Sequence, residues 1–184
     1  MLIDDYTILP ATLEHVGALP EVERRAGARF GSSVPARILE RTIPLSVLED
    51  AQRAGRLWVA VAPDGAPVGF ALADCVAGRA HLEELDVLPE HGRRGIGAAL
   101  VSAVEQWAVS QGFTELTLTT YVDLPWNASY YSKLGFEPVD AGDLDVGMLQ
   151  QLADEDALGL ERDRRVMMRK SPAAVQQAHQ PVAQ

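Results

Sequence analysis

The stretch from Leu85 to Leu100 joins an apolar run to a turn rich in glycine and arginine, and then to an amphipathic pattern. Its residues, LDVLPEHGRRGIGAAL, predict a strand that ends before Pro89 and a helix that begins at Gly95-Ile96-Gly97. The first N–H groups of a helix have no intrahelical acceptor, and the helix dipole is positive at that end. With Arg93 and Arg94 beside them, these groups would suit a pyrophosphate. The stretch therefore predicts a ligand that carries phosphate.

A glycine pair before a helix is weak evidence when taken alone, because many helices follow glycine for backbone reasons. Two nucleotide-binding motifs are excluded by spacing. A Walker loop requires Gly-Lys-Ser/Thr, and no such triplet follows Gly95. A Rossmann fingerprint requires an early βα unit, whereas this turn lies in mid-chain after a half rich in hairpin signals. The phosphate-bearing ligand is therefore of another kind.

The flanking patterns predict one α/β (α+β) domain over residues 1–170, with a mixed, mostly antiparallel sheet of six to seven strands flanked by helices. The predicted strands cover residues 5–9, 57–62, 68–76, 79–88, 113–122, 136–139 and 164–170. The predicted helices cover residues 13–26, 44–55, 96–111, 126–134 and 144–160, with an irregular segment at 27–43. Residues 171–184 are rich in Ala, Gln and Pro and predict a disordered tail.

Composition narrows the classes of partner. The chain has 184 residues, a formal net charge of −10 and one cysteine. The charge argues against nucleic acid as a partner and is compatible with a cationic one. No apolar run is long enough to cross a bilayer, the first residues lack the pattern of a signal peptide, and no His/Cys/Asp cluster has metal-ligand spacing. We therefore expect a cytoplasmic protein without a metal. The single cysteine, Cys75, also fits a reducing compartment.

A second motif follows the long helix, in the residues DLPWNASYYSKLGFEPV at 123–139. The chain has, in order, a hairpin, a strand, the sequence V-x-P-x-x-x-R-R-G-x-G-A, a long helix, a strand and the sequence Y-x-x-L-G-F. This order resembles the GNAT-type N-acetyltransferase superfamily. The later stretch is similar to a bacterial subgroup with P-W-N-x-x-x-Y-x-x-L-G-F. The resemblance covers about residues 5–170 and implies a single acyl-CoA N-acyltransferase domain. One departure is Gly92, which stands where the family usually has Gln or Arg, so we expect the backbone of the turn to provide most of the grip.

The resemblance implies transfer of an acetyl group from acetyl-CoA to a primary amine by direct attack. An alkyl ammonium has a pKa of about 10.4, so a base must remove a proton first, and the departing thiolate benefits from an acid. The implied acid is Tyr131, and Asn127 lies four residues earlier on the same helix face, where it can contact the CoA arm. The other implied CoA contacts come mainly from the backbone of Leu85, Asp86, Val87, Arg93, Arg94, Gly95, Ile96, Gly97 and Ala98. We expect CoA between the fourth and fifth predicted strands, where they splay apart.

The strand over residues 79–88 supplies the candidate bases. Its period-2 pattern places His81, Glu83, Leu85 and Val87 on one face, and Leu82, Glu84 and Asp86 on the other. The resemblance implies a base at Glu83, the first choice, or at His81, the second. Glu84 is a competitor, because a change of register by one residue exchanges the two faces.

Two other functions stay open from the sequence. The chain could bind acyl-CoA as a sensor or inactive paralogue without turnover, or it could transfer another acyl chain or use another acceptor. No motif identifies the acceptor among polyamines, amino acids, drugs, peptides and protein lysines. A homodimer is common in such enzymes, but no residue pattern identifies an interface.

Overall fold

The computed structural model describes residues 2–3 and 5–172, and these form one mixed sheet of eight strands with helices packed on it. The strands are β1 (Leu2–Ile3), β2 (Tyr6–Pro10), β3 (Leu57–Val61), β4 (Pro67–Val76), β5 (Arg79–Val87), β6 (Leu116–Tyr121), β7 (Glu137–Pro138) and β8 (Arg165–Lys170). Their order in the sheet is β1-β2-β3-β4-β5-β6-β8-β7. All neighbours are antiparallel except β5 and β6, so the predicted mixed, mostly antiparallel sheet is confirmed. The count exceeds the predicted six to seven because the two-residue strand β1 at one edge was not predicted, whereas β7 at the other edge lies within the predicted strand at 136–139.

The helices are α1 (Leu13–Val16), α2 (Leu19–Gly27), α3 (Ala36–Leu39), α4 (Leu45–Arg53), α5 (Ile96–Ser110), α6 (Ala128–Lys133) and α7 (Val146–Ala157). The single helix predicted over residues 13–26 is two helices. Pro20 has no amide hydrogen to donate to the Val16 carbonyl, so the chain breaks and restarts with Pro20 in the first turn of α2. None of the helices in the described part of the chain is both long and apolar enough to cross a membrane. The predicted disordered tail falls almost entirely on residues 173–184, which lie outside the described residues.

The long helix α5 packs across β2, β3, β4 and β5, and α2 packs on β4 and β5. Leu100 and Val104 of α5 are fully buried, as are Phe70 of β4 and Leu116 of β6. Burial of such side chains contributes about 1.5–3 kcal/mol each. This core fixes the position of the two sheet strands from which the site is built.

A β-bulge in β5 changes the predicted alternation of its side chains. Glu84 lies opposite Leu72, but the next paired residue, Leu82, lies opposite Ala73. Glu83 is therefore an extra residue without a partner on β4, and a bulge of this kind shifts the alternation by one residue.

The bulge exchanges the faces of the residues that follow it. Across the strand pair, His81, Glu84 and Asp86 lie opposite Asp74, Leu72 and Phe70 of β4, which alternate along one face. The predicted grouping of His81 with Leu85 and Val87 is wrong, because those two residues lie beyond the bulge. Glu84 and Asp86 share a face with His81 instead.

The strands β5 and β6 pair only at Ala80–Leu116, His81–Thr117 and Leu82–Leu118. Beyond this point β5 continues to Val87 while β6 remains paired with β8. The two parallel strands therefore separate, as predicted, and leave a wedge-shaped opening between their carboxyl ends.

Candidate active site

A cavity of about 1270 Å³ opens at this wedge. One wall is the second half of β5, from Leu82 to Val87, and another is the turn before α5 with the first residues of that helix. Residues of α6 close a third side, and the segment from Glu23 to Arg56 with parts of β6, α7 and β8 closes the rest. The cavity thus joins the turn, the strand and the short helix that the two sequence motifs predicted.

The turn before α5 exposes backbone amides to the cavity. Arg93 and Gly95 both adopt left-handed backbone angles, with φ of 60° and 81°, and the helix begins at Ile96 without a capping side chain among the described residues. Gly95 adopts such a φ easily because it has no Cβ. Residues 96–98 line the cavity, and their N–H groups have no intrahelical acceptor, which is an arrangement that can bind anions.

The two predicted arginines have different surroundings. Arg93 lines the cavity, whereas the guanidinium of Arg94 lies 6.0 Å from the centre of the Tyr6 ring. The Tyr6 hydroxyl is 2.8 Å from Nδ1 of His91, and Glu90 forms an ion pair with Arg25 of α2. These contacts attach the turn to β2 and α2. No local pattern indicates these contacts, since Tyr6 and Arg25 are more than sixty residues earlier.

The short helix α6 brings Asn127 and Tyr131 to the cavity, as expected from their spacing. The Asn127 carbonyl accepts hydrogen bonds from the N–H groups of Tyr130, at 2.9 Å, and Tyr131, at 3.2 Å. The Tyr131 ring packs edge-on against Phe136, with ring centres 5.9 Å apart. Burial, followed by the negative charge of Glu84, raises the pKa of Tyr131 well above its ordinary value, so this hydroxyl stays protonated.

Four carboxyl groups of the cavity wall, hereafter the cavity carboxyls, have no lysine or arginine of the described residues within ion-pair distance. They belong to Glu23, Glu83, Glu84 and Asp86. Both oxygens of Glu23 accept the Ile43 N–H, at 2.9 and 3.2 Å. Asp86 is only 8% exposed, and its Oδ2 has no hydrogen-bond partner in the described structure.

Burial is the main reason that these carboxyls hold their protons strongly. It raises the pKa of Glu23 to about 7, and with repulsion from Glu23 it raises that of Glu84 to about 7. Burial and repulsion from Glu84 raise the pKa of Asp86 well above its ordinary value. The pKa of Glu83 is also raised to about 7, by desolvation and repulsion from Glu155, although Glu83 is more exposed than the other three residues. At neutral pH the group can therefore both release and accept protons.

His81 does not line this cavity. It is 1% exposed, and its Nδ1 lies 2.8 Å from Oγ1 of Thr117. Burial lowers the pKa of His81 to about 4, so the ring is neutral at physiological pH. The structure thus brings Glu83, Glu84 and Tyr131 to one cavity and separates His81 from it.

A second set of charged residues lines the cavity and was missed from the sequence. Arg165 of β8 is 3.0 Å from Glu155 of α7 and donates a 2.6 Å hydrogen bond to Thr119. Arg56 is 2.7 Å from Asp74. These cations are paired already. Their partners come from distant segments, so no local pattern could reveal them.

Residues 28–136 match the family model described as "Acetyltransferase (GNAT) family". Aminoglycoside N(6')-acetyltransferase type 1 of Klebsiella aerogenes is 37% identical over 95 aligned positions, and the match covers 47% of this chain and 62% of the relative. The chain therefore matches less than two thirds of the length of that relative.

Solved structures share the fold. PaiA N-acetyltransferase from Thermoplasma acidophilum in complex with coenzyme A has a TM-score of 0.70 and 20% identity, over 90% of this chain and 98% of that one. N-acetylglutamate synthase from Neisseria gonorrhoeae, complexed with coenzyme A and N-acetyl-glutamate, has a TM-score of 0.66 and 16% identity, over 92% of this chain and 35% of that one. The resemblance to the narrower P-W-N subgroup stays a prediction. Because the family match spans more than half of its residues, the chain belongs to the acetyltransferase (GNAT) family.

Proposed function

We propose that the protein transfers an acetyl group from acetyl-CoA to a primary amine. The observation that carries this proposal is that one cavity is lined by the amide-bearing start of α5, by a protonated tyrosine and by carboxyls of raised pKa. Anion binding, acid catalysis and base catalysis are the three requirements of the reaction. The family membership supports the same activity.

The turn and the first residues of α5 fit the pyrophosphate of CoA. Free N–H groups at residues 96–98 would donate to the phosphate oxygens, and Arg93 would add positive charge. Gly97 allows Tyr130 of α6 to lie close against the start of α5, because a Cβ at this position would meet the Tyr130 hydroxyl at 2.6 Å. The pantetheine arm would follow the wedge along Leu85, Asp86 and Val87, whose backbone groups are no longer paired with β6. Bound there, acetyl-CoA supplies an acetyl group as a reactive thioester.

Tyr131 is the proposed acid. Its raised pKa keeps the hydroxyl protonated, and it lines the cavity four residues after Asn127, the proposed contact of the CoA arm. As the C–S bond breaks, the sulfur leaves with the bonding electrons and takes the Tyr131 proton. Proton transfer of this kind typically contributes 10²- to 10⁴-fold to a rate.

Glu84 is the base that the structure supports best. Its charge acts on Tyr131, so the two groups lie at the same part of the cavity, whereas the strongest neighbours of Glu83 are Glu155 and Asp74. A pKa near 7 allows Glu84 to take a proton from the ammonium group and release it to water. The neutral nitrogen then forms a bond to the thioester carbon, and as the amide forms the nitrogen gives up a second proton, which restores the Tyr131 hydroxyl. The products are an amide, a thiol and one proton, so the step balances. Glu83 stays the alternative base.

CoA binding and turnover test the proposal separately. A ligand at 100 times its Kd adds about 2.7 kcal/mol to the stability of the folded protein, which raises the melting temperature. Gly95→Glu places bulk and negative charge at the anion site and should abolish this rise. Gly112→Glu is the matched control, because Gly112 has a similar φ of 80° at the other end of α5.

An unchanged CoA-dependent rise in Gly95→Glu would contradict the cofactor assignment. Release of the CoA thiol, measured with a thiol reagent against a panel of amines, tests the transfer itself. Binding of acetyl-CoA without thiol release on any amine would favour a sensor over an enzyme.

A further inference from the structure

We propose that the acceptor is a short diamine or polyamine, and that Asp86 and Glu23 bind its second ammonium group while its first reacts beside Glu84. This inference rests on the acetyl-transfer function proposed above and specifies its substrate class. It also assigns a binding role to two carboxyls that the transfer chemistry does not use.

The first argument is the charge balance of the cavity. Of its acidic residues, Asp74 is paired with Arg56 and Glu155 with Arg165, whereas the cavity carboxyls have no cation of the described chain within ion-pair distance. Ionised carboxyls without a partner are costly in a partly dry site. The other cations of the cavity wall, Arg29, Arg41, Arg93 and Lys133, also lie beyond ion-pair distance of these carboxyls, so a ligand with several ammonium groups would pair with them directly.

The second argument is the unpartnered oxygen of Asp86. The side chain is more than nine-tenths buried in the cavity wall, and its Oδ2 accepts no hydrogen bond from any described residue. Buried polar atoms almost always have a partner, and an ammonium group offers three N–H donors. Arg29 acts on Asp86 only at longer range and stacks 5.8 Å from the centre of the Trp126 ring.

The third argument is spacing. Glu84 and Asp86 lie opposite Leu72 and Phe70, so they occupy successive positions on one face of β5. Such positions are about 6.6 Å apart along a strand, close to the span of a short aliphatic diamine. Glu23 of α2 adds a second carboxyl to the same place, since its charge acts on both Glu84 and Asp86. One amine would thus lie at the reacting position and the other between Asp86 and Glu23.

The same arrangement disfavours acceptors that carry negative or electron-rich groups next to the amine. The carboxylate of an amino acid, or the carbonyl of a peptide N-terminus, would face Asp86 and Glu23 without offering them an N–H donor, and it would be repelled by either carboxyl in its ionised form. The site therefore selects by the charge of the group that does not react.

The experiment compares 1,4-diaminobutane with 4-aminobutan-1-ol, in which a hydroxyl replaces the second ammonium. Thiol release from acetyl-CoA gives kcat/KM for each, and calorimetry gives their affinity for the CoA-loaded protein. We expect the diamine to be preferred about tenfold or more, the usual worth of a hydrogen bond to a charged group. Asp86→Asn and Glu23→Gln should each reduce this preference strongly, while Asp163→Asn, an exposed acid outside the cavity, should retain it.

Stabilisation of each variant by CoA shows that it is folded, and Glu23→Gln keeps the test valid if Asp86→Asn does not fold. Equal use of both probes, or a preference that survives both cavity substitutions, would overturn the inference. So would failure of the diamine to bind the CoA-loaded protein. Acetyl transfer to 4-aminobutan-1-ol or to a peptide amine at a similar or higher rate would overturn it while leaving acetyl transfer intact. If the wild-type protein does not bind CoA, that result would instead contradict the proposed function.

Discussion

The hydroxyl of Tyr130 fills the space above Gly97, where the first turn of α5 meets α6. A Cβ built on Gly97 would lie 2.6 Å from the Tyr130 oxygen and 3.5 Å from Cζ. The start of α5 and the helix α6, which carries Tyr131, are therefore in contact at Gly97, which has only a hydrogen atom where other residues have Cβ. Movement of either helix would change the distance between the proposed pyrophosphate site and Tyr131, the proposed acid.

Gly97→Ala should weaken CoA binding, because the new methyl displaces Tyr130 and with it the start of α6. Overpacking of this kind costs about 1–3 kcal/mol, which exceeds the gain of about 1 kcal/mol from replacing glycine within a helix. Tyr130→Phe removes the clashing oxygen and leaves Cζ at ordinary contact distance. The affinity for CoA and the urea midpoint, measured for both single variants and the double variant, should show that Tyr130→Phe rescues Gly97→Ala. Additive effects would contradict this contact.

Tyr131→Phe should lower kcat by about 10²-fold or more while the affinity for CoA stays within a few-fold, because only the proton donor is lost. Tyr130→Phe is the matched control, since it removes the same atom from the adjacent residue. Single-turnover thiol release would separate the chemical step from product release. A loss of equal size in both variants, or no loss in Tyr131→Phe, would assign the acid elsewhere.

The rate should rise with pH through about 7, because Glu84 must be ionised to accept the ammonium proton. Burial and repulsion from Glu23 raise its pKa to about 7, while Arg165 of β8 acts in the opposite direction. In Glu84→Gln the inflection of kcat/KM near pH 7 should disappear, so that the rate follows only the fraction of neutral amine, and the rate at pH 8 should fall by about 10²-fold. Glu83→Gln should keep the inflection. The reverse pattern would identify Glu83 as the base.

The ionisation of Glu84 should also change the free energy of unfolding of the protein without ligand. A carboxyl whose pKa is raised in the folded state stabilises the protein fully below its unfolded value of 4.5, and this stability is lost as the pH rises to about 7. His81 acts with the opposite sign, since its lowered pKa makes stability increase between about 4 and 6.5. A comparison of variants is therefore needed. Between pH 5 and 8, Glu84→Gln should lose less stability than the wild type by about 1–3 kcal/mol in urea titrations. An identical loss would show that Glu84 is solvated.

The parts of the site that depend on short segments were predictable. The turn at residues 92–95 and the helix after it follow from glycine and an amphipathic pattern, and Asn127 and Tyr131 share a helix face because they are four residues apart. All of these residues line the cavity except Arg94, whose side chain contacts the Tyr6 ring.

The proposed base, Glu84, was predicted only as a competitor of Glu83, since its position depends on pairing between strands. The bulge at Glu83 arises from the register of β5 on β4, and it places Glu84 on the face that strict alternation gave to Glu83. Glu23 reaches the same face only because α2 packs on β4 and β5. Neither relationship leaves a mark in the sequence around residue 83.

Substitution of Gly69 tests whether the position of β5 affects the binding of acetyl-CoA. A Cβ at Gly69 would lie 2.6 Å from the backbone carbonyl oxygen of Asp86, and 3.1 Å from Cγ2 of Val87. The nearest of these atoms belongs to the backbone of β5, so Gly69→Ala must push Asp86 and Val87 off β4 toward the wedge. We expect a loss of about 1–3 kcal/mol in stability and a higher KM for acetyl-CoA, because the backbone that would bind the pantetheine arm moves. Gly65→Ala is a suitable control: it lies in the β3–β4 turn with nothing within 4 Å, and it carries the strain of its positive φ without contact with β5. If Gly69→Ala lowers stability as Gly65→Ala does but leaves the KM for acetyl-CoA unchanged, the edge of β5 at Asp86 and Val87 does not contact the cosubstrate.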